Sequence, residues 1–191
     1  IDRLKNTSSR LAVGSVLSRR EMLLLALMSS ENRAAASLAR TSPGGTSAFV
    51  SRMNQKARQL GMHSTRFYDP TGLDSRNTST AEDLARMVAA AYRYPLIRED
   101  TTTTDQQVYA RNRMLQYRNS NALVREGQWQ IGLSKTGYTQ EAGRCLVMMA
   151  TVGSTPLIMV FLDSEGSSAR INDARNIKTW LEKHPATWLA G

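Results

Sequence analysis

The chain has 191 residues and a formal net charge of +9, a length that suits one domain with a continuous buried core. Its longest apolar run, residues 22–28, falls far short of the roughly 20 residues that span a bilayer, and no signal-peptide pattern is present. The charge points to anionic surroundings such as nucleic acid, an acidic membrane face or an anionic wall polymer. Lys and Arg are scattered, however, without a basic block or an aromatic-interleaved RNA motif, so nucleic acid is not an expected partner.

Residues 1–19 read as irregular or short-strand structure broken at Gly14. Ser18 and Glu21 then form a capping box, and residues 22–28 are apolar nearly all round, which predicts a helix in the domain centre. The polar tetrad Ser29-Ser30-Glu31-Asn32 stops it, and residues 33–40, dense in alanine, form a second helix. Ser30 and Asn32 thus sit on a short connection held at both ends by helices. After the turn Ser42-Pro43-Gly44-Gly45, Thr46 is placed to cap a helix over 47–60 that stops at Gly61. Residues 62–77 carry turn chemistry, notably Asp69-Pro70-Thr71-Gly72 and Asp74-Ser75-Arg76-Asn77. Ser79 and Glu82 give a second capping box, for a helix from Thr80 to about Arg93 with Leu84, Met87, Val88 and Ala91 on one face. Tyr94-Pro95 ends it, and residues 96–100 add a helical turn.

Weaker strand signals over 106–117 break at Ala110-Arg111-Asn112, and Asn119-Ser120-Asn121 is a polar loop. The chain enters its strand block at Ile131. Residues 144–152 and 157–162 are rich in Val, Ile, Leu, Met and Phe, and the turn Gly153-Ser154-Thr155-Pro156 joins them, which predicts a hairpin of two central antiparallel strands. Cys145 is the only cysteine, so no intrachain disulfide forms, and its apolar strand predicts a buried, inert thiol. His63 and His184 lie in no metal-ligand spacing, so neither a metal nor another cofactor is expected. Residues 167–183 form the final helix, with Ile171, Ala174, Ile177 and Leu181 inward. The expected class is α+β, an antiparallel sheet flanked by helices in one domain. Its helical subregion covers about 18–94, and the sheet and final helix about 104–184.

Ahead of the hairpin lies Leu133-Ser134-Lys135-Thr136-Gly137. Alternation along a strand turns Lys135 and Gly137 one way and Thr136 the other. All three can serve one ligand only at a sheet edge, where an extended peptide can pair with the strand. Ser30-Glu31-Asn32 and Lys135-Thr136-Gly137 are each weak signals alone. Their order, separation and contexts together resemble the penicillin-recognising serine acyltransferases, marked by S-x-x-K, S-x-N and K-T-G. Residues 27–35, 79–85 and 132–139 are similar to low-molecular-mass penicillin-binding proteins of the D-alanyl-D-alanine endopeptidase or carboxypeptidase type, and the resemblance runs from Leu4 to about His184. No S-x-x-K occurs in these residues. The family carries it upstream of S-x-N, so the resemblance implies a chain lacking its N-terminal strands and nucleophile helix, with that missing segment as a partner.

The resemblance further implies a periplasmic serine-type D,D-peptidase acting on peptidoglycan peptides through an acyl-enzyme, with β-lactam antibiotics as acylating inhibitors. Ser30 would relay a proton to the leaving amine, and Asn32 would offer its amide to a substrate carbonyl while orienting the catalytic lysine. Lys135 would supply positive charge, and Thr136 would bond a terminal carboxylate. Gly137 would leave room for the substrate backbone, and the Tyr138 backbone N–H would join the oxyanion hole. Arg170 is a candidate counterpart of an arginine that binds the substrate carboxylate in some relatives. Plainer roles stand beside these: a helix cap for Ser30, turn closure for Asn32, a solvated edge cation for Lys135, β-propensity for Thr136 and a bulge for Gly137. The E-x-x-L-N glutamate of class A β-lactamases is absent, so a long-lived penicilloyl adduct is expected. The alternative functions are non-catalytic wall binding and, ranked below it, a β-lactamase. The short tail after the final helix is expected to leave no room for a second β domain or a C-terminal membrane helix.

Overall fold

The structure, a computed structural model, describes residues 9–184. The expected irregular start over 1–8 and the tail over 185–191 lie outside the described residues. The helical part comprises α1 (Arg19–Ser29), α2 (Asn32–Arg40), α3 (Gly45–Gln59), α4 (Ala81–Ala91) and α5 (Pro95–Thr102). A hairpin of β1 (Asp105–Ala110) and β2 (Arg113–Arg118) follows, then the short α6 (Ala122–Glu126). The main sheet holds β3 (Gln130–Thr139), β4 (Gly143–Val152) and β5 (Thr155–Ser164), and α7 (Ala169–Lys183) closes the described chain. The fold is α+β, with antiparallel sheets flanked by helices.

The main sheet has the order β3-β4-β5, which puts β3 at an edge among the described residues, as its motif requires. The hairpin of residues 144–152 and 157–162 forms, but among the described residues only β4 is central, and β5 is the second edge. Along β4 the residues Leu146, Met148, Ala150 and Val152 are buried in strict alternation, the period of a strand with one face on a core. That face packs with Ala174 and Leu181 of α7. Ile177, expected inward, is 41% exposed. It lies three residues beyond Ala174, on the flank of the helix rather than on the line of contact.

α1 begins as expected, with Glu21 N–H on Ser18 Oγ at 3.1 Å and Ser18 N–H on Glu21 Oε2 at 2.8 Å. Of its apolar run only Leu25 and Met28 are fully buried, in a core shared with Leu11, Ala34, Val108 and Tyr117. The helix is therefore half-covered by the described residues. Two expected caps fall elsewhere. Gly44, with φ 76°, precedes α3 without a side-chain cap, so Thr46 already lies inside the helix. Thr80 rather than Ser79 caps α4, accepting from Asp83 N–H at 3.2 Å, because the helix begins at Ala81; the Ser79 hydroxyl is paired with Thr65 at 2.7 Å. Between β1 and β2 the expected break becomes a two-residue turn, Arg111 at φ 48° and Asn112 at φ 62°, the signs a tight hairpin turn demands.

Candidate active site

Two elements converge on one cleft, and local chain chemistry fixes each. α1 stops because Ser30 turns left-handed, at φ 56° and ψ 39°, with its N–H on Leu25 O, a conformation that costs an L-residue about 1 kcal/mol. Glu31, not Ser30, caps the next helix. Its carboxylate accepts Arg33 N–H at 3.3 Å and the Ser9 hydroxyl, and it is 6% exposed. Asn32 is consequently the first residue of α2 rather than part of a loop. Opposite this turn runs β3. Gly132 marks its one register shift against β4, and a side chain there would drive a Cβ to 2.6 Å from the Tyr92 ring. α5 packs on both α1 and β3, which ties the two halves together.

Lys135 of β3 donates from Nζ to Ser30 Oγ and, at 2.9 Å, to Thr136 O. Ser30 Oγ in turn lies 3.5 Å from Thr136 O. Burial, and secondarily the charge of Arg170, pushes the Lys135 ammonium down to about 8. Arg170, at the start of α7, donates from Nη1 to Gly137 O at 2.8 Å and to Cys145 O at 3.0 Å. Its own pKa is lowered, by burial and then by Arg144. Lys135 is thus no solvated edge cation, and Gly137 is no bulge, since the β3–β4 register runs unbroken through it. A Cβ at Gly137 would meet Cys145 Cβ at 3.7 Å, an ordinary contact.

The cleft has a volume of about 780 Å³. Ser30, Asn32, Lys135, Thr136, Gly137 and Tyr138 all line it, so the structure brings every expected site residue together. Tyr138 presents an exposed ring stacked under Arg144, 4.4 Å from guanidinium to centroid. Cys145, expected buried and inert, is half-buried and lines the same cleft. Strand alternation explains this, because the buried face of β4 carries its neighbour Leu146.

The wall facing β3 comes from the segment whose sequence shows only turn chemistry. Pro70, Thr71, Gly72 and Leu73 line the cleft there. The Asp69 carboxylate sets their path, accepting from Thr71 N–H at 2.9 Å, Gly72 N–H at 3.1 Å and Asn77 Nδ2 at 2.6 Å. Arg170 reaches the cleft as its candidacy required.

In this α+β fold the Ser-Glu-Asn segment faces the edge-strand Lys-Thr-Gly across one cleft. Residues 2–166 match the family model of peptidase S11, D-alanyl-D-alanine carboxypeptidase, and the chain belongs to that family. It is 50% identical over 186 residues to the D-alanyl-D-alanine endopeptidase of Pseudomonas aeruginosa, covering 96% of this chain and 60% of that protein. To the D-alanyl-D-alanine endopeptidase of Escherichia coli K12 it is 47% identical over 185 residues, covering 94% and 58%. The chain therefore spans about three fifths of the length of these relatives. The crystal structure of the Streptomyces K15 DD-transpeptidase is similar at a TM-score of 0.85 and 27% identity, over 94% of this chain and 73% of that one.

Proposed function

We propose that the complete protein is a serine-type D,D-peptidase of bacterial peptidoglycan that cleaves D-alanine-containing cross-links through an acyl-enzyme in the periplasm. The observation that supports this most is the hydrogen bond from Lys135 Nζ to Ser30 Oγ inside a cleft walled by Lys135 and Arg170. A hydroxyl whose oxygen accepts from an ammonium keeps its own proton for donation outward. Ser30 then passes that proton to the leaving amine as it receives the one that the lysine beside the attacking serine has taken from that serine, so Ser30 ends the step as a hydroxyl. The acylated serine comes from outside these 191 residues, which contain no S-x-x-K, and Asn32 orients its neighbouring lysine. Thr136 bonds the ligand carboxylate beside Lys135, Arg170 adds a second cation, and Gly137 and the Tyr138 N–H receive the peptide backbone. β-Lactams acylate the same serine. The similarity to relatives named D-alanyl-D-alanine endopeptidases supports a bond within a cross-link as the preferred one.

Incubating the complete protein with purified cross-linked muropeptides and resolving the products by mass spectrometry tests this. Monomers are expected to accumulate, and benzylpenicillin is expected to block them. Intact cross-links after prolonged incubation, with penicillin still retained, would favour a wall-binding protein instead.

A further inference from the structure

The Asn119-Ser120-Asn121 loop lies outside the roles assigned above, yet it bonds to both halves of the cleft. Asn119 is 3% exposed and donates from Nδ2 to Thr101 O at 3.0 Å and Thr103 O at 2.8 Å, at the end of α5. Its Oδ1 accepts Asn121 N–H at 2.9 Å. Asn121, 0% exposed, caps α6 and donates from Nδ2 to Ser134 Oγ on β3 at 2.8 Å. The two asparagines thus immobilise the residue between them. Ser120 donates its backbone N–H to Met28 O, two residues before Ser30, at 2.9 Å. Its hydroxyl accepts from Thr136 Oγ1 at 2.7 Å.

We infer that Ser120 is a positioning residue that aims the Thr136 hydroxyl at a ligand carboxylate. This rests on the carboxylate role given to Thr136 above. Each hydroxyl has one proton and two lone pairs. In the free protein Thr136 gives its proton to Ser120. When a carboxylate arrives, Thr136 rotates its proton onto the anion, and Ser120 rotates its own proton onto the vacated Thr136 lone pair. Each oxygen keeps its covalent proton throughout, and in the liganded state both donors are used. The anion's hydrogen bond is strengthened because its donor is itself an acceptor. Without the Ser120 hydroxyl, Thr136 loses both its resting orientation and that support.

The complete protein, its Ser120→Ala and Ser120→Thr variants and Thr136→Ala are compared in second-order acylation by benzylpenicillin and by its methyl ester, which lacks the anion. The acid-to-ester rate ratio compares two ligands on one sample, so any unfolded fraction cancels. Ser120→Ala is expected to lower the ratio about tenfold, the scale of one hydrogen bond to a charged group, and Ser120→Thr to restore it to within about twofold. An unchanged ratio in Ser120→Ala while Thr136→Ala lowers it would overturn the Ser120 role and leave the Thr136 reading intact. An unchanged ratio in Thr136→Ala would overturn the carboxylate reading itself, and the Ser120 role with it.

Discussion

Lys135 is held where its charge is disfavoured, by burial first and by Arg170 second, and this fixes the sign of a pH dependence. Below about 8 the free site carries the ammonium, and a ligand carboxylate finds it charged. Above that value the free site has lost the proton, and the anion must restore it, so acid-ligand affinity should fall by up to about tenfold per pH unit. Benzylpenicillin acylation rates from pH 6 to 10 are expected to show a level limb and then this decline, whereas the methyl ester profile should lack it. Lys135→Met should abolish the decline and lower the rate by about a hundredfold or more, the scale of a lost electrostatic stabiliser. Lys135 and Ser30 were legible in the chain because Lys-Thr-Gly and Ser-x-Asn are contiguous motifs. The cap assignments beside them were not. Glu31 rather than Ser30 caps α2, and Thr80 rather than Ser79 caps α4, because each helix begins directly after that residue, at Asn32 and at Ala81.

Among the elements, α1 carries most of the weight, because it ends in Ser30 and packs against α2 and α5. Its capping box was readable from Ser18 and Glu21, and Ser18→Ala is expected to cost about 1 kcal/mol in urea unfolding. A larger cost follows from a pair that sequence could not reveal. Arg20 Nη2 lies 2.7 Å from Oδ1 of the fully buried Asp100 of α5. Burial raises the Asp100 pKa, and Arg20 works against that rise. Arg20→Ala leaves the carboxyl buried without its cation and should destabilise the complete protein by about 3 kcal/mol at neutral pH. The loss should shrink in acid, where Asp100 is protonated with or without Arg20. Equal losses at both ends of the range would show that Arg20 acts through packing rather than charge. The Asn119-Ser120-Asn121 loop belongs here too. Its polarity was plain, but its partners Ser134, Thr136 and Thr101 lie 13, 16 and 18 residues away in the chain.

For the molecule as a whole, strand alternation and helical periodicity gave the α+β class, and the need for Lys135, Thr136 and Gly137 to serve one ligand put β3 at an edge, where it lies among the described residues. They could not show that β5 is an edge among the described residues, nor that α1 is only half-covered, because an apolar run records that a face is buried and not by what. The Asp69 loop escaped for a related reason: turn residues reveal a bend, and only the folded chain shows which cleft the bend overlooks. Intact mass spectrometry of the complete protein after benzylpenicillin addresses the cleft's chemistry most directly. A single, slowly lost penicilloyl adduct is expected on the wild type and no adduct on Lys135→Met over the same exposure, whereas equal acylation of both proteins would contradict the role of Lys135 and the cleft built around it.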